Sequence, residues 1–338
     1  MSLRKVRWGI LSTARIGIQK VIPALQAGTR TEVAAIASRD GKAARKAAAD
    51  LGIPVAYGSY EELLDDPQVE AVYNPLPNHL HAPWSVRAAE AGKHVLCEKP
   101  LALTAREAAE LAERVRPTGV LVQEAFMIRF HPQWIQSMEW IHSGRLGRLW
   151  SIQCHFSYDN PDPSNIRNVR QFGGGGLLDI GCYAVFASRW AFRSEPKRVF
   201  AISEDDPKFR VDRLASAVLE FDSGHAVFTV GTQMFRAQGI QFVGSNGSLQ
   251  IEVPFNAPPD RPCRILLDED ASADRSPEVV EFPICDQFTL QGDRFSRAAL
   301  GEVEPILSLE DSIANMAVLD ALAASAESGK PESPGRFR

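Results

Sequence analysis

Short apolar runs alternate with helical segments over the first 123 residues of the chain. The apolar runs cover residues 6–11, 33–37, 69–73, 94–97 and 120–122. The helical segments between them have alanine-rich faces and cover residues 15–27, 41–51, 79–91 and 105–116. Strand–helix repetition of this kind predicts an α/β fold with a doubly wound parallel sheet, which binds its ligands at the carboxyl ends of the strands.

Beyond residue 123 the pattern changes to short strands separated by turns. Helices are predicted over residues 132–142, 177–192 and 309–325. Strands are predicted over residues 149–158, 198–202, 215–221, 226–231, 239–243 and 248–253. The turns Asp222-Ser223-Gly224 and Ser245-Asn246-Gly247 indicate consecutive hairpins. This half is therefore predicted to hold a large, mostly antiparallel sheet.

The two patterns predict two domains, residues 1–123 and residues 124–338. Residues 268–277 are polar and are expected to form a surface loop. The last residues are rich in Pro, Gly, Ser and charge, which is typical of a loose tail.

Composition and charge exclude several classes of protein. The chain has 338 residues, 45% of them hydrophobic, and a formal net charge of −5 with dispersed Lys and Arg, which argues against nucleic acid or an anionic membrane as partner. No apolar run approaches the ~20 residues of a membrane helix, and the N-terminus leads into a strand without a signal peptide. The five cysteines are widely spaced and lack a CxxC pair. They indicate reduced, mostly buried thiols, no metal site and a cytoplasmic protein.

The turn after the first strand is where a dinucleotide-binding fold carries GxGxxG, so that backbone can approach the pyrophosphate. Here the residues in register are Ser12-Thr13-Ala14-Arg15-Ile16-Gly17, with only the last glycine kept. Small side chains still permit close approach, and two hydroxyls can contact a phosphate. An ordinary tight turn is the alternative. The predicted cofactor-binding residues of this turn are Ser12, Thr13, Ala14, Arg15 and Ile16.

The end of the second strand bears on the choice between NADP and NAD. An NAD-specific fold usually places a carboxylate there to bind the ribose hydroxyls. Ser38 occupies the position and Arg39 follows, and a hydroxyl beside a guanidinium suits a 2′-phosphate. NADP is therefore the predicted cofactor. NAD stays possible, because Asp40 is adjacent and Arg39 would suit either cofactor if it only stacked on the adenine.

Two further loops follow predicted strands at the same edge. After the third strand, Pro77 stiffens the chain and Asn78 is a candidate N-cap. Pro77, Asn78 and His81 are assigned to the cofactor site, although a structural role is the alternative for Asn78 and His81. After the fourth strand come Glu98 and Lys99, also assigned to the cofactor site. Lys99 is the first candidate for chemistry, and a solvated surface pair is the alternative. The bond from Lys99 to the proline after it is a candidate cis peptide.

A second constellation lies in the predicted helix 177–192. Asp179 and Tyr183 are four residues apart, which puts both on one helix face. Gly181 between them lowers helix propensity by about 1 kcal/mol relative to Ala, which suggests a close approach to the backbone. An acid at a helix N-terminus and a core tyrosine are the alternative interpretation.

These motifs resemble a known family. The stretch Gly92-Lys93-His94-Val95-Leu96-Cys97-Glu98-Lys99-Pro100, the loop with Pro77, Asn78 and His81, and the segment from Glu124-Ala125-Phe126-Met127 to Arg129-Phe130-His131-Pro132 are similar to the Gfo/Idh/MocA oxidoreductases. The opening Arg7-Trp8-Gly9-Ile10-Leu11-Ser12-Thr13-Ala14-Arg15-Ile16 resembles the branch of sugar 1-dehydrogenases and dimeric dihydrodiol dehydrogenases. The resemblance implies a Rossmann domain followed by an α+β domain with an open-faced sheet.

The resemblance also implies roles for particular residues. The family pattern Asp-x-Gly-x-His or Asp-x-Gly-x-Tyr makes Tyr183 the general base, or the acid in reduction. A free tyrosine has a pKa near ~10, which Lys99 would lower as an electrostatic partner. Asp179 would orient the ammonium or bind a sugar hydroxyl. By family position, Arg129 joins the cofactor site and Asn165 and Arg167 the substrate site. The implied apolar wall consists of Phe126, Phe156 and Trp190. For these polar and aromatic residues, surface charge and core packing are the alternative.

The function that this implies is hydride transfer between NADP and a sugar or related polyol or carbonyl, as in an aldose 1-dehydrogenase. Two alternatives stay open. One is a glycosidase that uses bound NAD transiently, and the other is a dinucleotide-binding sensor without turnover. The resemblance further implies a homodimer or homotetramer that assembles through the C-terminal sheet.

Overall fold

The computed structural model describes residues 3–269 and 276–335. Most of the predicted polar loop at 268–277, and the last residues of the predicted tail, lie outside the described residues. The chain forms two compact units, Met1–Met127 with Asp286–Ser312, and Ile128–Cys285 with Ile313–Arg338. The predicted boundary after residue 123 lies shortly before this division. The return of residues 286–312 to the first unit is not indicated by the sequence pattern.

The elements are numbered in chain order. The strands are β1 (Val6–Leu11), β2 (Thr31–Ala37), β3 (Val55–Tyr57), β4 (Ala71–Asn74), β5 (His94–Cys97), β6 (Val122–Glu124), β7 (Leu149–Asp159), β8 (Arg198–Asp205), β9 (Asp212–Glu220), β10 (His225–Gly231), β11 (Gln233–Gly244), β12 (Ser248–Ile251), β13 (Cys263–Asp268) and β14 (Glu278–Phe282). The α-helices are α1 (Ile22–Ala27), α2 (Gly41–Leu51), α3 (Tyr60–Asp65), α4 (His81–Glu90), α5 (Ala105–Val115), α6 (Pro132–His142), α7 (Cys182–Phe192), α8 (Gln287–Ala299) and α9 (Leu309–Ser328). Two single turns, Gly17–Val21 and Leu177–Gly181, are π-helical.

The first unit contains the predicted doubly wound sheet. In its described part the strand order is β3-β2-β1-β4-β5-β6, and the paired strands run parallel. The order reverses between β1 and β4, which is where such a sheet opens a crevice for ligands. Strand β3 and helix α3 are not predicted, because β3 has three half-buried residues and no apolar run distinguishes it.

Helix α8 completes the core of the first unit. Trp8 of β1 is fully buried, and its indole Nε1 donates a 3.1 Å hydrogen bond to Ser296 Oγ. Its ring lies 5.1 Å from the ring of Phe295. The carboxylate of Asp293 in the same helix accepts hydrogen bonds from the backbone of Thr29 and Arg30. These contacts between distant parts of the chain explain why residues 286–312 belong to this unit.

The second unit contains the predicted antiparallel-rich sheet. In the residues described there, the order is β14-β13-β12-β11-β7-β10-β9-β8, with β10 and β7 as a parallel pair among antiparallel ones. Both predicted hairpin turns are confirmed, since β9 leads into β10 and β11 into β12 through them. The prediction of a loose tail is wrong for Glu332, which pairs with Val199 of β8 through two backbone hydrogen bonds.

Two further sequence expectations concern burial. Cys97, Cys154, Cys182 and Cys263 are buried and Cys285 is half-buried, as predicted for most of the thiols. Across residues 3–269 and 276–335, no helix has the length and apolar character needed to cross a membrane.

Candidate active site

The turn after β1 keeps a glycine-like backbone conformation, although serine replaces the first glycine of the GxGxxG motif. Ser12 stands at that position with φ of 82°, a left-handed conformation that side chains rarely adopt. Ser12 is held from both sides, because its N–H donates to Ala37 O at 2.8 Å and its Oγ accepts from Ala14 N at 3.1 Å. The helical segment that follows starts at Arg15 and continues as a π-helical turn, Gly17–Val21. This geometry fits a turn over which a pyrophosphate can lie.

The other predicted residues of this turn differ in exposure. Thr13 and Ile16 are half-buried, and Ile16 packs against the core of the first unit. Arg15 is exposed, and its Nε donates a 2.9 Å hydrogen bond to Gln19. Thr13 therefore offers a hydroxyl near the strand end, whereas Ile16 anchors the turn.

The end of β2 separates the roles of Ser38, Arg39 and Asp40. The Asp40 carboxylate caps helix α2, because its Oδ1 accepts from Lys42 N at 2.9 Å and from Ala43 N at 3.3 Å. Ser38 is buried, and its Oγ accepts from Asp40 N at 3.2 Å, which leaves the hydroxyl hydrogen as a donor. Arg39 is exposed. The strand end thus offers a hydroxyl and a guanidinium, while the carboxylate is engaged in the cap.

His81 has backbone partners on both sides of its ring. Nδ1 lies 2.7 Å from Pro100 O and Nε2 lies 2.6 Å from Leu76 O. The ring is buried, and this burial lowers the pKa of His81 to about 4. These contacts tie the loop after β4 to the loop after β5. The contacts of His81 therefore suit a structural role. Its contact with the cofactor stays a prediction.

The N-cap assigned to Asn78 is not formed. Helix α4 begins at His81, is preceded by Leu80, and has no side-chain cap. Asn78 instead follows Pro77 and opens a short 3₁₀ turn, Asn78–Leu80, at the end of β4. Both residues keep their place at the strand edge where the cofactor is predicted.

Glu98 and Lys99 lie in the loop after β5 and are half-buried. Glu98 Oε1 accepts a 2.7 Å hydrogen bond from the phenol of Tyr73, and Oε2 accepts from Lys99 N at 3.3 Å. The bond between Lys99 and Pro100 is cis, as suggested from the sequence. Sequence reasoning missed Tyr73, because a tyrosine near the end of a buried strand belongs to no motif.

Asp179 is the centre of a polar cluster in the second unit. Tyr158 donates its phenol hydrogen to Asp179 Oδ2 at 2.5 Å, and Arg167 Nε donates to the same oxygen at 2.9 Å. Asp179 is buried, whereas the Arg167 side chain is 40% exposed. The structure thus brings two predicted substrate residues, Arg167 and Asp179, into an ion pair. Tyr158 was missed, because a tyrosine near the end of a strand carries no motif.

The glycine run before Asp179 is explained by close approach. A Cβ on Gly174 would lie 2.4 Å from Arg167 O, and one on Gly175, whose φ is +115°, would lie 1.9 Å from Asp212 Oδ1. Asp212 Oδ2 accepts from Leu177 N at 2.6 Å and so holds the first turn of the helical segment. Burial raises the pKa of Asp212 to about 7.

Tyr183 lies one turn after Asp179, at the start of α7, and is buried. Its ring is 6.0 Å from the ring of Phe156 and 5.3 Å from that of Phe255. The predicted helix 177–192 is present, but its first turn, Leu177–Gly181, is π-helical. Such turns are frequent at functional sites.

The other candidates are distributed over both units. Asn165 caps a short 3₁₀ helix, since its Oδ1 accepts from Arg167 N at 3.1 Å. The guanidinium of Arg129 lies 3.9 Å from the ring centroid of Trp190. Phe126 is buried within the first unit. In the described part of the chain, no cluster of three or more His, Cys, Asp or Glu side chains is suited to hold a metal ion.

Comparisons with known families identify both halves of the chain. The model of the oxidoreductase family with an NAD-binding Rossmann fold matches residues 6–126. The model of the GFO/IDH/MocA C-terminal domain matches residues 134–250. The chain belongs to the GFO/IDH/MocA oxidoreductase family. Its first unit is accordingly the dinucleotide-binding domain of an oxidoreductase that acts on CH–OH groups, and the resemblance seen in the sequence is confirmed.

Three GFO/IDH/MocA relatives span nearly the whole chain. A D-xylose 1-dehydrogenase (NADP(+)) from Haloferax volcanii is 41% identical over 95% of this chain and 98% of its own. The structure of KijD10, a 3-ketoreductase from Actinomadura kijaniata in complex with NADP and TDP-benzene, is 32% identical, with a TM-score of 0.88 over 95% of this chain and 98% of that one. An aldose-aldose oxidoreductase from Caulobacter crescentus, complexed with glycerol, is 26% identical, with a TM-score of 0.89 over 98% and 100%.

Proposed function

We propose that this chain oxidises a free aldose at its anomeric carbon, with NADP as the hydride acceptor. The observation that carries the proposal is the similarity, over nearly its full length, to a D-xylose 1-dehydrogenase (NADP(+)). The tyrosine at position 183 supports it, because the resemblance to this family implies tyrosine here for the sugar dehydrogenase and dihydrodiol dehydrogenase branch and histidine for the inositol dehydrogenase branch.

The preference for NADP is supported by the end of β2. The carboxylate of Asp40, the one candidate for ribose hydroxyls considered there, caps α2. Ser38 retains a hydroxyl donor, and the exposed Arg39 can pair with a phosphate dianion. Ser38 and Arg39 favour a 2′-phosphate, and the carboxylate of Asp40 is engaged in the helix cap. NADP is therefore favoured over NAD.

The pyrophosphate is assigned to the turn after β1. Ser12 holds the left-handed backbone there, and Thr13 and Ala14 follow with small side chains. The nicotinamide, when bound, accepts the hydride that leaves the anomeric carbon. Pro77, Asn78, Glu98 and Arg129 remain assigned to the cofactor on their family positions.

The proton of the reacting hydroxyl is assigned to Tyr183. Oxidation of an alcohol releases a proton as well as a hydride, and a positioned side chain that accepts the proton accelerates such a step roughly 10²- to 10⁴-fold. Lys99 is assigned the role of the cation that favours the phenolate. Asp179 is assigned to bind a sugar hydroxyl or the ammonium of Lys99. Arg167 and Asn165 are assigned to bind the remaining sugar hydroxyls.

We further propose that two chains associate through the open face of the second unit's sheet. One row of neighbours on this face crosses the eight described strands of that sheet: Phe200, Val218, Val227, Gln153, Gln241, Gln250, Leu266 and Val279. Five of the eight are apolar, and Val218 at 42% exposure and Val279 at 51% remain open to solvent. A flat face of apolar and amide side chains is suited to packing against a second copy of itself.

The proposal is tested by a substrate panel assayed with NADP and NAD separately. Aldoses, inositols, dihydrodiols and a glycoside are each incubated with the enzyme, reduced nicotinamide is followed in the near-ultraviolet, and release of free sugar from the glycoside is measured separately. The proposal expects the highest kcat/KM with an aldose and NADP. Turnover of a glycoside without net reduction would support the glycosidase instead. Cofactor binding without any turnover across the panel would support a sensor.

A further inference from the structure

Two donors from different elements converge on one oxygen of Asp179. The phenol of Tyr158, near the end of β7, lies 2.5 Å from Oδ2, and Nε of Arg167, in the loop after β7, lies 2.9 Å from it. Hydrogen bonds to an ionised carboxylate are short and roughly twice as strong as neutral ones. Two such bonds on one atom restrict the rotation of the carboxylate and favour its charged form.

Tyr158 acts as a donor and not as a base. Its pKa is raised well above the ordinary value for tyrosine, first by burial and then by the charge of Asp179, with Arg167 opposing the shift. The phenol therefore keeps its hydrogen at any pH at which the enzyme works. This separates its role from that of Tyr183, which is assigned the proton transfer.

We propose that Tyr158 is a positioning residue of the aldose site, which together with Arg167 holds Asp179 ionised and in one orientation. Asp179 and Tyr183 lie on the same continuous helical segment, so the orientation of one is set relative to the other. The inference rests on the proposed function, because it takes Asp179 to contact the sugar or the ammonium. Tyr158 acts through Asp179.

Other ionisable groups surround this cluster. Asp212 of β9 influences Tyr158, and its own pKa is about 7, raised chiefly by burial and further by Asp205. Asp212 therefore changes charge near neutral pH and contributes to any rate profile. An Asp212→Asn background removes this titration and keeps a carbonyl oxygen that can accept from Leu177 N.

The kinetic test compares Tyr158→Phe with a matched tyrosine. In the first unit, Tyr57 also donates its phenol to an aspartate, Asp66 Oδ2, at 3.0 Å. The pH dependence of kcat/KM for the best aldose with NADP is measured for both variants, in wild-type and Asp212→Asn backgrounds.

Tyr158→Phe is expected to lower kcat/KM roughly 10- to 100-fold, the loss of a charge-assisted hydrogen bond. As the pH falls, kcat/KM for oxidation decreases first as Tyr183 binds a proton and again as Asp179 does, and Tyr158→Phe is expected to move the second, more acidic midpoint to higher pH. Tyr57→Phe is expected to leave kcat/KM and this midpoint unchanged.

Two outcomes decide the inference from kinetics. If the more acidic midpoint, the one assigned to Asp179, is the same in Tyr158→Phe as in the parent, the positioning role is overturned, even if overall activity falls. A shift in the same direction in Arg167→Gln supports it, since this variant removes the second donor and leaves the buried tyrosine in place.

A second measurement separates this inference from the proposed function. With ¹³C-labelled aspartate, the Asp179 carboxyl resonance, assigned by its absence in Asp179→Asn, is titrated without substrate. The inference expects the titration midpoint to rise in Tyr158→Phe, and an unchanged midpoint overturns it. If the wild type oxidises no aldose, the proposed function fails, and the titration alone still decides whether Tyr158 holds Asp179.

Discussion

The phenol of Tyr73 donates a 2.7 Å hydrogen bond to Glu98, the residue immediately before Lys99. Tyr73 is fully buried at the end of β4, so a phenylalanine there keeps the packing and loses only the hydroxyl. Tyr73→Phe is expected to lower the free energy of unfolding by about 1.5–3 kcal/mol, the range for a hydrogen bond to a charged group. Urea denaturation measures this loss. An unfolding free energy equal to that of the wild type would show that Glu98 does not depend on this bond.

Arg39→Ala tests the cofactor assignment. Loss of the guanidinium removes a partner for the 2′-phosphate and leaves the rest of the strand end in place. The KM for NADP is expected to rise roughly 10- to 100-fold, as for one charge-assisted contact, with little change in the KM for NAD. Lys46→Ala is the matched control, because Lys46 is an exposed cation on α2 that pairs with Asp50. Equal effects of the two substitutions on NADP would contradict the assignment.

Because His131 is buried, we expect the protein to lose stability in acid. Its Nδ1 accepts a 3.2 Å hydrogen bond from Gln133 N at the start of α6, and burial lowers its pKa to about 4. Between pH 6.5 and about 4 the unfolded chain therefore binds a proton that the folded chain does not, so stability falls as the pH falls through this window. His131 alone is expected to account for roughly 2–4 kcal/mol of this loss.

His131→Asn isolates this contribution, because asparagine also caps a helix N-terminus and does not titrate. The variant is expected to lose less stability than the wild type between pH 6.5 and 4, as measured by urea denaturation at a series of pH values. Part of the slope should persist, since burial also lowers the pKa of His81 to about 4. An identical slope in wild type and variant would show that His131 is not neutral in the folded protein.

Val218→Arg tests the association of two chains. The side chain is the second in the row across the second unit's sheet, between Phe200 of the edge strand β8 and Val227 of β10. A buried charge there should break a symmetric dimer, and light scattering should give the monomer mass of 37.1 kDa for the variant and twice that for the wild type. Ile135→Arg is the control, since Ile135 is equally exposed on helix α6. A dimer that survives Val218→Arg would exclude this face.

Five of the six strands described in the first unit's sheet were predictable because they are apolar runs separated by helical segments, and β3 was not, because its three residues are half-buried. The hairpins of the second unit were predictable because Asn-Gly and Ser-Gly turns mark them. Helix α8 was not, since its place in the first unit depends on contacts such as the one from Trp8 to Ser296, which join residues 288 positions apart. Local sequence patterns do not predict a contact between residues so far apart in the chain.

The candidate site also contains some residues that could be predicted from the sequence and others that could not. Lys99, Asp179 and Tyr183 stand out because each belongs to a motif with a defined spacing. Tyr73 and Tyr158 do not, because a tyrosine that donates to a carboxylate is identified only when folding brings the two together. His81 belongs to a motif that predicts a cofactor contact, and this stays a prediction, whereas the contacts of its ring nitrogens with two carbonyl oxygens are visible only in the structure.

In the proposed mechanism, Tyr183 transfers the proton in NADP-linked oxidation of an aldose, with Lys99 as its cationic partner. The most direct test is kcat/KM of Tyr183→Phe for the best aldose, with NADP binding measured in parallel. Tyr183→Phe is expected to lower kcat/KM roughly 10²- to 10⁴-fold with NADP affinity unchanged, and Lys99→Met is expected to lower kcat/KM by a comparable factor. Wild-type turnover by Tyr183→Phe would contradict this mechanism.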